Sequence, residues 1–276
     1  RRGLGEVVEA GNAHRLEIEV LPGYLPKRRW FAAKDERLGA IRIEWAAPLA
    51  SRVLALLAGI AVEVGGRVDR YLMPLSIVWE SDNPPPIAYQ LALARVRRGA
   101  RVGYLTDAAA LPEAAGAIIT ALRRGEEREA SGGVIRYRAT SRLADLPETE
   151  ESSVRLLSAE QSNSSIVVDE AAVVKLIRRL REGVHPEVEM ADYLTEAGYA
   201  NTPPLLGEVS RIAADGTPTV LATVSGFVLN QGDAWNWTLD YLAREIESMA
   251  ITGEEGGDEA EIFATYHNFA QRLGQR

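Results

Sequence analysis

An α+β fold built on antiparallel sheets is predicted by three observations. Short segments rich in Val, Ile, Leu and Tyr meet at tight glycine turns, at Gly65-Gly66, Gly132-Gly133 and Ala214 to Gly216; such turns join neighbouring strands as hairpins. Helical periodicity is confined to a few stretches, near the N-terminus, at 107–124, at 186–197 and in the last forty or so residues. The chain has 276 residues, 46% hydrophobic and 25% charged, which suits two modest globular domains.

Taken in order, Ala10 to Val20 reads as a helix, with Ala13, Leu16 and Val20 on one side and charges between them, ended by Pro22-Gly23. An aromatic and basic knot, Tyr24 to Phe31, follows. The alternation Ile41, Ile43, Trp45 predicts a strand from Leu38 to Trp45. Val53 to Val64 fits either a buried helix or a strand, and its second half favours a strand leading into the Gly65-Gly66 hairpin. Tyr71 to Trp79 and Ile87 to Val96 read as strands separated by Asp82 to Pro86. A helix is predicted from Asp107 to Arg124, with an acid at its start and arginines at its end, as the helix dipole prefers. The polar stretch Pro147 to Ser153 marks a soft boundary. Beyond it, strands are expected at 154–157, 166–168 and 173–177, and a helix at Pro186 to Ala197 with Gly198 just past its end. A hairpin of Leu205 to Val209 with Thr219 to Val224, a helix from Thr238 to Met249, an acidic linker from Gly253 to Asp258 and a last helix from Glu259 to Leu273 complete the chain. The division expected is 1–148, 149–232 and 233–276.

Charge and composition exclude several classes. A formal net charge of −8 opposes nucleic acid and anionic membrane as partners. The lack of cysteine excludes disulfides and thiolate metal sites and fits a cytoplasmic protein. No apolar run approaches the roughly 18 residues that span a bilayer. His14, His185 and His267 lie far apart, against a histidine zinc site. Gly3 and Gly5 have neither the spacing nor the preceding strand of a dinucleotide fingerprint, and no Gly-x-x-x-x-Gly-Lys-Ser/Thr sequence occurs.

The chemistry concentrates between 159 and 189. Ser162, Asn163, Ser164 and Ser165 form a polar turn between two strands, where backbone N–H groups and hydroxyls can meet phosphate. Lys175 lies in the apolar strand Val173 to Leu176, and a lysine there needs a carboxylate or an anion for company. Glu189, fourteen residues on, is placed to meet it from the next helix; Glu187 is nearly as well placed, and Arg178 and Arg179 are further phosphate candidates. Strand, polar turn, strand with lysine, helix with glutamate is the order of a protein-kinase-like small lobe, an antiparallel sheet plus one helix. Asp233, Trp235 and Trp237 are candidates for a sugar face, or simply pack helix against sheet. Lys27, Arg28, Arg29 and Trp30 form an anion or docking site, or cover apolar surface with their stems, while Trp30 and Phe31 enter the core.

Four segments together resemble bacterial maltokinase: Tyr24 to Ala32 (YLPKRRWFA), Ala159 to Ser165 (AEQSNSS), Ala200 to Leu206 (ANTPPLL) and Gly226 to Trp235 (GFVLNQGDAW). The resemblance runs from about residue 15 to the end. It implies a kinase-like fold related to aminoglycoside phosphotransferases, with an N-terminal cap before the small lobe, and ATP-dependent phosphorylation of maltose at its anomeric carbon. On this resemblance Ser162, Asn163, Ser164 and Ser165 form the phosphate loop, Lys175 holds phosphates, Glu189 pairs with Lys175, and Gly226, Val228 and Gln231 belong to the hinge that meets adenine.

The cofactors implied are ATP and Mg2+. The expected catalytic loop and the metal ligands of the family do not follow the last helix, and the chain starts without methionine. It is therefore expected to be part of a longer enzyme and inactive alone. A trehalose synthase domain is the partner that the family implies, and a non-catalytic docking or regulatory module attached to that domain is the alternative reading. Leu242, Ile246, Ile262, Phe263, Tyr266 and Phe269, left bare on the last helices, would favour a homodimer.

Overall fold

The structure, a computed structural model, describes residues 3–50, 53–147, 153–157, 163–230, 232–252 and 263–275. It is α+β with antiparallel sheets, as the sequence predicts. Residues 1–227 form one compact unit and 228–276 another.

The first sheet holds β1 (Leu38–Pro48), β2 (Ala55–Val64), β3 (Arg67–Trp79), β4 (Ala92–Arg98) and β5 (Arg101–Asp107), in the order β1-β2-β3-β5-β4. The ambiguous 53–64 stretch is strand over nearly its whole length. Gly65 and Gly66 both have positive φ, 54° and 83°, which the two-residue hairpin between β2 and β3 requires. Two predictions in this region fail. Ile87 does not begin a strand; Pro86 opens a short helix, α3 (Pro86–Gln90), because proline suits a first helical turn and cannot donate to a ladder. Asp107 does not begin a long helix; it ends β5, and its carboxylate caps a 3-10 turn by accepting from the Ala109 N–H at 2.9 Å. The helix proper, α4, spans Pro112–Arg123.

Pro22-Gly23 does not stop the N-terminal helix either. Helical turns continue from α1 (Ala10–Arg15) through a π segment at Leu16–Val20 into α2 (Leu21–Tyr24). Pro22 falls in a new first turn, where its missing N–H costs nothing. These turns lay Leu16, Leu21, Tyr24 and Leu25 on the outer face of the first sheet, against Ile41, Ile60, Tyr71 and Met73. Phe31 is fully buried there, its ring 5.0 Å from that of Tyr71.

The second sheet runs β6-β7-β12-β13-β10-β9-β8 and is antiparallel throughout. Its strands are β6 (Glu127–Ala130), β7 (Gly133–Ala139), β8 (Val154–Leu157), β9 (Ser164–Val168), β10 (Ala172–Leu176), β12 (Leu205–Ala213) and β13 (Pro218–Gly226); β11 (Arg179–Leu180) leaves it to pair with β3. The two sheets are thus interlaced across the boundary drawn at 148. The β6–β7 hairpin, on the N-terminal side of that boundary, bonds to β12, and β11, on the other side, bonds to the first sheet. Helix α4 lies in the core they share: Ile118 and Leu122 belong to one buried cluster with Leu57 and Leu72 of one sheet and Val174, Leu176 and Val224 of the other. Tyr137 of β7 donates its hydroxyl to the Leu49 carbonyl in that core, and burial pushes its phenol well above the ordinary tyrosine range.

Gly59 is the tightest point of the first sheet. It sits directly opposite Trp45, and a Cβ built on it would overlap the indole ring. Gly59→Ala must displace a buried tryptophan, so we expect a loss of about 1–3 kcal/mol in urea unfolding; an unchanged midpoint would contradict this packing.

In residues 228–276, α6 (Ala234–Thr252) and α7 (Ala264–Gly274) carry an aromatic stack. Trp237 lies 5.5 Å from Tyr241 and 4.7 Å from Phe269, and Tyr241 lies 6.1 Å from Tyr266. Tyr266 and Phe269 are therefore packed, not bare as the dimer reading assumed, although Ile246 is exposed. Ile262 and the acidic linker lie outside the described residues. No helix among the described residues is long and apolar enough to cross a membrane.

Candidate functional site

Alternation along β10 sets the geometry. Ala172, Val174 and Leu176 point into the shared core, so Lys175 points to the other face of the sheet. The register places Ser165 of β9 on one side of Lys175 and Thr223 of β13 on the other, with Glu208 of β12 and then Arg138 of β7 next in line. Directly opposed residues of paired strands share a face, so this face carries a continuous polar row.

Helix α5 (Pro186–Glu196) engages the row from above. Lys175 Nζ donates to Glu187 Oε1 at 2.7 Å and to Oε2 at 2.8 Å. Arg138 reaches Asp192 at 3.2–3.3 Å and Glu208 at 2.9 Å. Val188 and Ala191, between these polar contacts, pack on Ile177, Leu205 and Val220. His185 is the residue before the helix, as expected, and Gly198 follows it with φ of 69°.

The partner of Lys175 is Glu187, not Glu189. Residues two apart on a helix point about 200° from each other. With Pro186 in the first turn and Val188 turned to the sheet, Glu187 faces Lys175 while Glu189 is exposed. The spacing in sequence was compatible with both, and only the start of the helix decides.

The serine-rich turn divides in the same way. Ser165 faces the Lys175 side, whereas Ser164 faces the core, where its hydroxyl accepts from Arg178 Nε at 2.9 Å and Nη2 at 2.8 Å. Asn163 Oδ1 accepts from the Arg178 backbone N–H at 3.2 Å. Ser162 lies outside the described residues. Arg178 and Arg179 are not phosphate ligands in this arrangement. Arg179 pairs with Asp69 at 2.9 Å. Arg178, 1% exposed, pairs with Asp107, also 1% exposed, at 2.8 Å, and its guanidinium lies 5.1 Å from the Trp30 ring centroid. This fully buried arginine joins the two sheets, a role that a charged residue in a strand exit does not announce in sequence.

At the far end of β13 the Gly226 N–H is taken by the Pro204 carbonyl at 2.9 Å, and the next N–H, of Phe227, by that of Ala171 at 2.9 Å. Neither is open to an adenine ring. In the second unit, Val228 is exposed and its carbonyl accepts from Asn230 Nδ2 at 2.9 Å; Gln231 lies outside the described residues. Asp233 caps α6, accepting from the Asn236 N–H at 2.8 Å. Trp235 is exposed and Trp237 belongs to the aromatic stack, so the sugar-face candidates do not converge. Among the described residues no group of three or more acidic or histidine side chains is placed to hold a metal ion.

Residues 24–111 match the family described as maltokinase N-terminal cap domain. The glucosamine kinase of Mycolicibacterium smegmatis is 33% identical over 96 residues, 35% of this chain and 24% of that protein. A solved glucosamine kinase in complex with glucosamine, ADP and inorganic phosphate aligns over 80% of this chain and 44% of its own, at a TM-score of 0.46 and 19% identity. A second glucosamine kinase structure, crystal form A, aligns over 79% of this chain and 40% of its own, at 0.44 and 20%. The chain therefore spans about a quarter of the curated relative and under half of each solved one.

Proposed function

We propose that this chain is the cap and the phosphate-gripping small lobe of an ATP-dependent sugar kinase whose acceptor is maltose. The observation that carries the reading is the Lys175–Glu187 pair on the open face of the second sheet, with Ser165 and Thr223 on either side of the lysine. An exposed ion pair of this kind adds about 0–1 kcal/mol to stability, too little to account for a lysine in the middle of a sheet. Its chemical use is positional. Glu187 holds the ammonium at one point above the strand, where it can neutralise phosphate oxygens as charge shifts toward the leaving group.

Phosphoryl transfer needs positioning and charge neutralisation more than covalent chemistry. The described residues supply the first and part of the second. Mg2+ would accompany the nucleotide, but among the described residues there is no ligand set for it. Acceptance of the sugar's proton is likewise left to parts of the protein beyond these residues. The cap type favours maltose; the glucosamine kinase relative makes glucosamine the competing acceptor.

The complete protein, given ATP and either sugar, should release ADP with maltose and yield a phosphate ester on the anomeric carbon by phosphorus NMR. Preference for glucosamine would overturn the acceptor, and ADP release with neither sugar would overturn the kinase reading.

A further inference from the structure

Behind the serine-rich turn, on the side away from Lys175, a cleft of about 170 Å³ lies between the aromatic-basic knot and the start of β9. Four cations border it, Lys27, Arg28, Arg29 and Arg178, against one carboxylate, Asp107. Arg178 and Asp107 neutralise each other at 2.8 Å. Among the described lining residues this leaves Lys27 and Arg28 without a carboxylate partner, in a chain whose net charge is −8.

Neither Lys27 nor Arg28 has a carboxylate partner among the described residues, and of the two only Arg28 is partly buried. Among the described residues the Lys27 ammonium has no ion-pair partner. The Arg28 guanidinium lies 4.5 Å from the Tyr24 ring centroid, interacts with the Tyr24 hydroxyl, and makes a long hydrogen bond, 3.5 Å, to the Gln90 carbonyl. Its Nε is buried with no hydrogen-bond partner, and a buried donor left unpaired is costly. Stems that merely covered apolar surface would leave their charged ends in water; here the Arg28 Nε is buried, and the residue lines the cleft. Across from it stand Asn163 and Ser164, and Trp30 forms part of the wall.

We propose that this cleft binds a phosphate dianion, free or as the head of a small phosphate monoester, through Lys27 and Arg28. The cleft, about 170 Å³, has room for a phosphate. Arginine and lysine donors with an asparagine and a serine nearby are the chemistry that recognises such an anion. The occupant would touch the first described residues of the serine-rich turn from the cap side, whereas Lys175 approaches from the other face. The proposal does not depend on the nucleotide reading.

Titration calorimetry with inorganic phosphate tests it on residues 1–276 and on the complete protein. We expect a dissociation constant of about 1 mM or lower. Arg28→Gln should weaken it at least ~10-fold, the worth of one charge-assisted hydrogen bond, and Lys27→Gln several-fold, while Lys175→Met leaves it unchanged. Because Lys27 is exposed, its substitution leaves a folded protein to measure even where Arg28→Gln does not. In parallel, the indole N–H resonance of Trp30 should shift with phosphate. Tighter binding of glycerol 3-phosphate would identify a monoester as the occupant, and equal binding the free ion. Absence of binding, equal affinity in wild type and both knot variants, or loss confined to Lys175→Met would overturn the proposal.

Discussion

On the proposed sugar-kinase reading, Lys175→Met is expected to lower turnover in the complete protein roughly 100- to 1,000-fold, the usual loss when one preorganised donor to a developing charge is removed. The decisive comparison is between the two glutamates. Among the described residues Glu187, not Glu189, meets the Lys175 ammonium, at 2.7 and 2.8 Å, so Glu187→Gln should lose a large part of the same activity. Glu189→Gln should leave it within about twofold, since surface substitutions away from such contacts are nearly neutral. Steady-state rates at saturating ATP and maltose, with circular dichroism to confirm folding, check all three. Neither Lys175→Met nor Glu187→Gln should cost more than about 1 kcal/mol of stability, because the pair is partly exposed. Equal effects of the two glutamate variants would remove the geometric basis of the site, and a fully active Lys175→Met would remove the function.

That comparison also marks how far the sequence reaches. Lys175 was legible because period-two alternation sends it away from Val174 and Leu176 whatever the sheet packs against. The hairpins were legible because paired glycines supply a backbone that other residues resist. The choice between Glu187 and Glu189 was not, since it depends on which residue opens a helix, and helix starts are the least certain feature of a pattern. The strand Arg101–Asp107 was missed for a different reason. Its edge neighbour β4 carries Arg95, Arg97 and Arg98, charges that protect a sheet edge and dilute the alternation of the pair. Asp107 was read as a helix start because an acid before an alanine run has that look; in the fold it caps only a 3-10 turn, and its other oxygen serves Arg178.

The interlacing of the two sheets was illegible as well. Composition shifts at Pro147 to Ser153, and a boundary there is locally reasonable. Yet β6–β7 and β11 cross it by pairing over long sequence distances, and register between distant strands leaves no local mark. Ser164 and Ser165 show the same limit at smaller scale. Adjacent in sequence and similar in type, they serve opposite faces of one strand. One holds a buried arginine and the other flanks the lysine.

The buried arginine gives the largest stability effect expected of the fold. Asp107→Ala should destabilise residues 1–276 by about 3–5 kcal/mol, because it leaves Arg178 charged and unpaired in the interior. That is a large share of the 5–15 kcal/mol typical of a domain. The cost comes from desolvation of the survivor, not from any large net gain of the pair, so the double variant Asp107→Leu with Arg178→Met should recover much of the loss. It should not recover all of it: Arg178 also satisfies Ser164 and reaches the Leu72 carbonyl, at 3.4 Å, and Asp107 also caps the Ala109 N–H. Urea unfolding of wild type, Asp107→Leu, Arg178→Met and the double variant measures the coupling directly. A single variant within 1 kcal/mol of wild type would mean that water reaches the guanidinium. Additive losses in the double would mean that the two side chains act separately, and that something other than this ion pair holds β11 and the serine-rich turn to the first sheet.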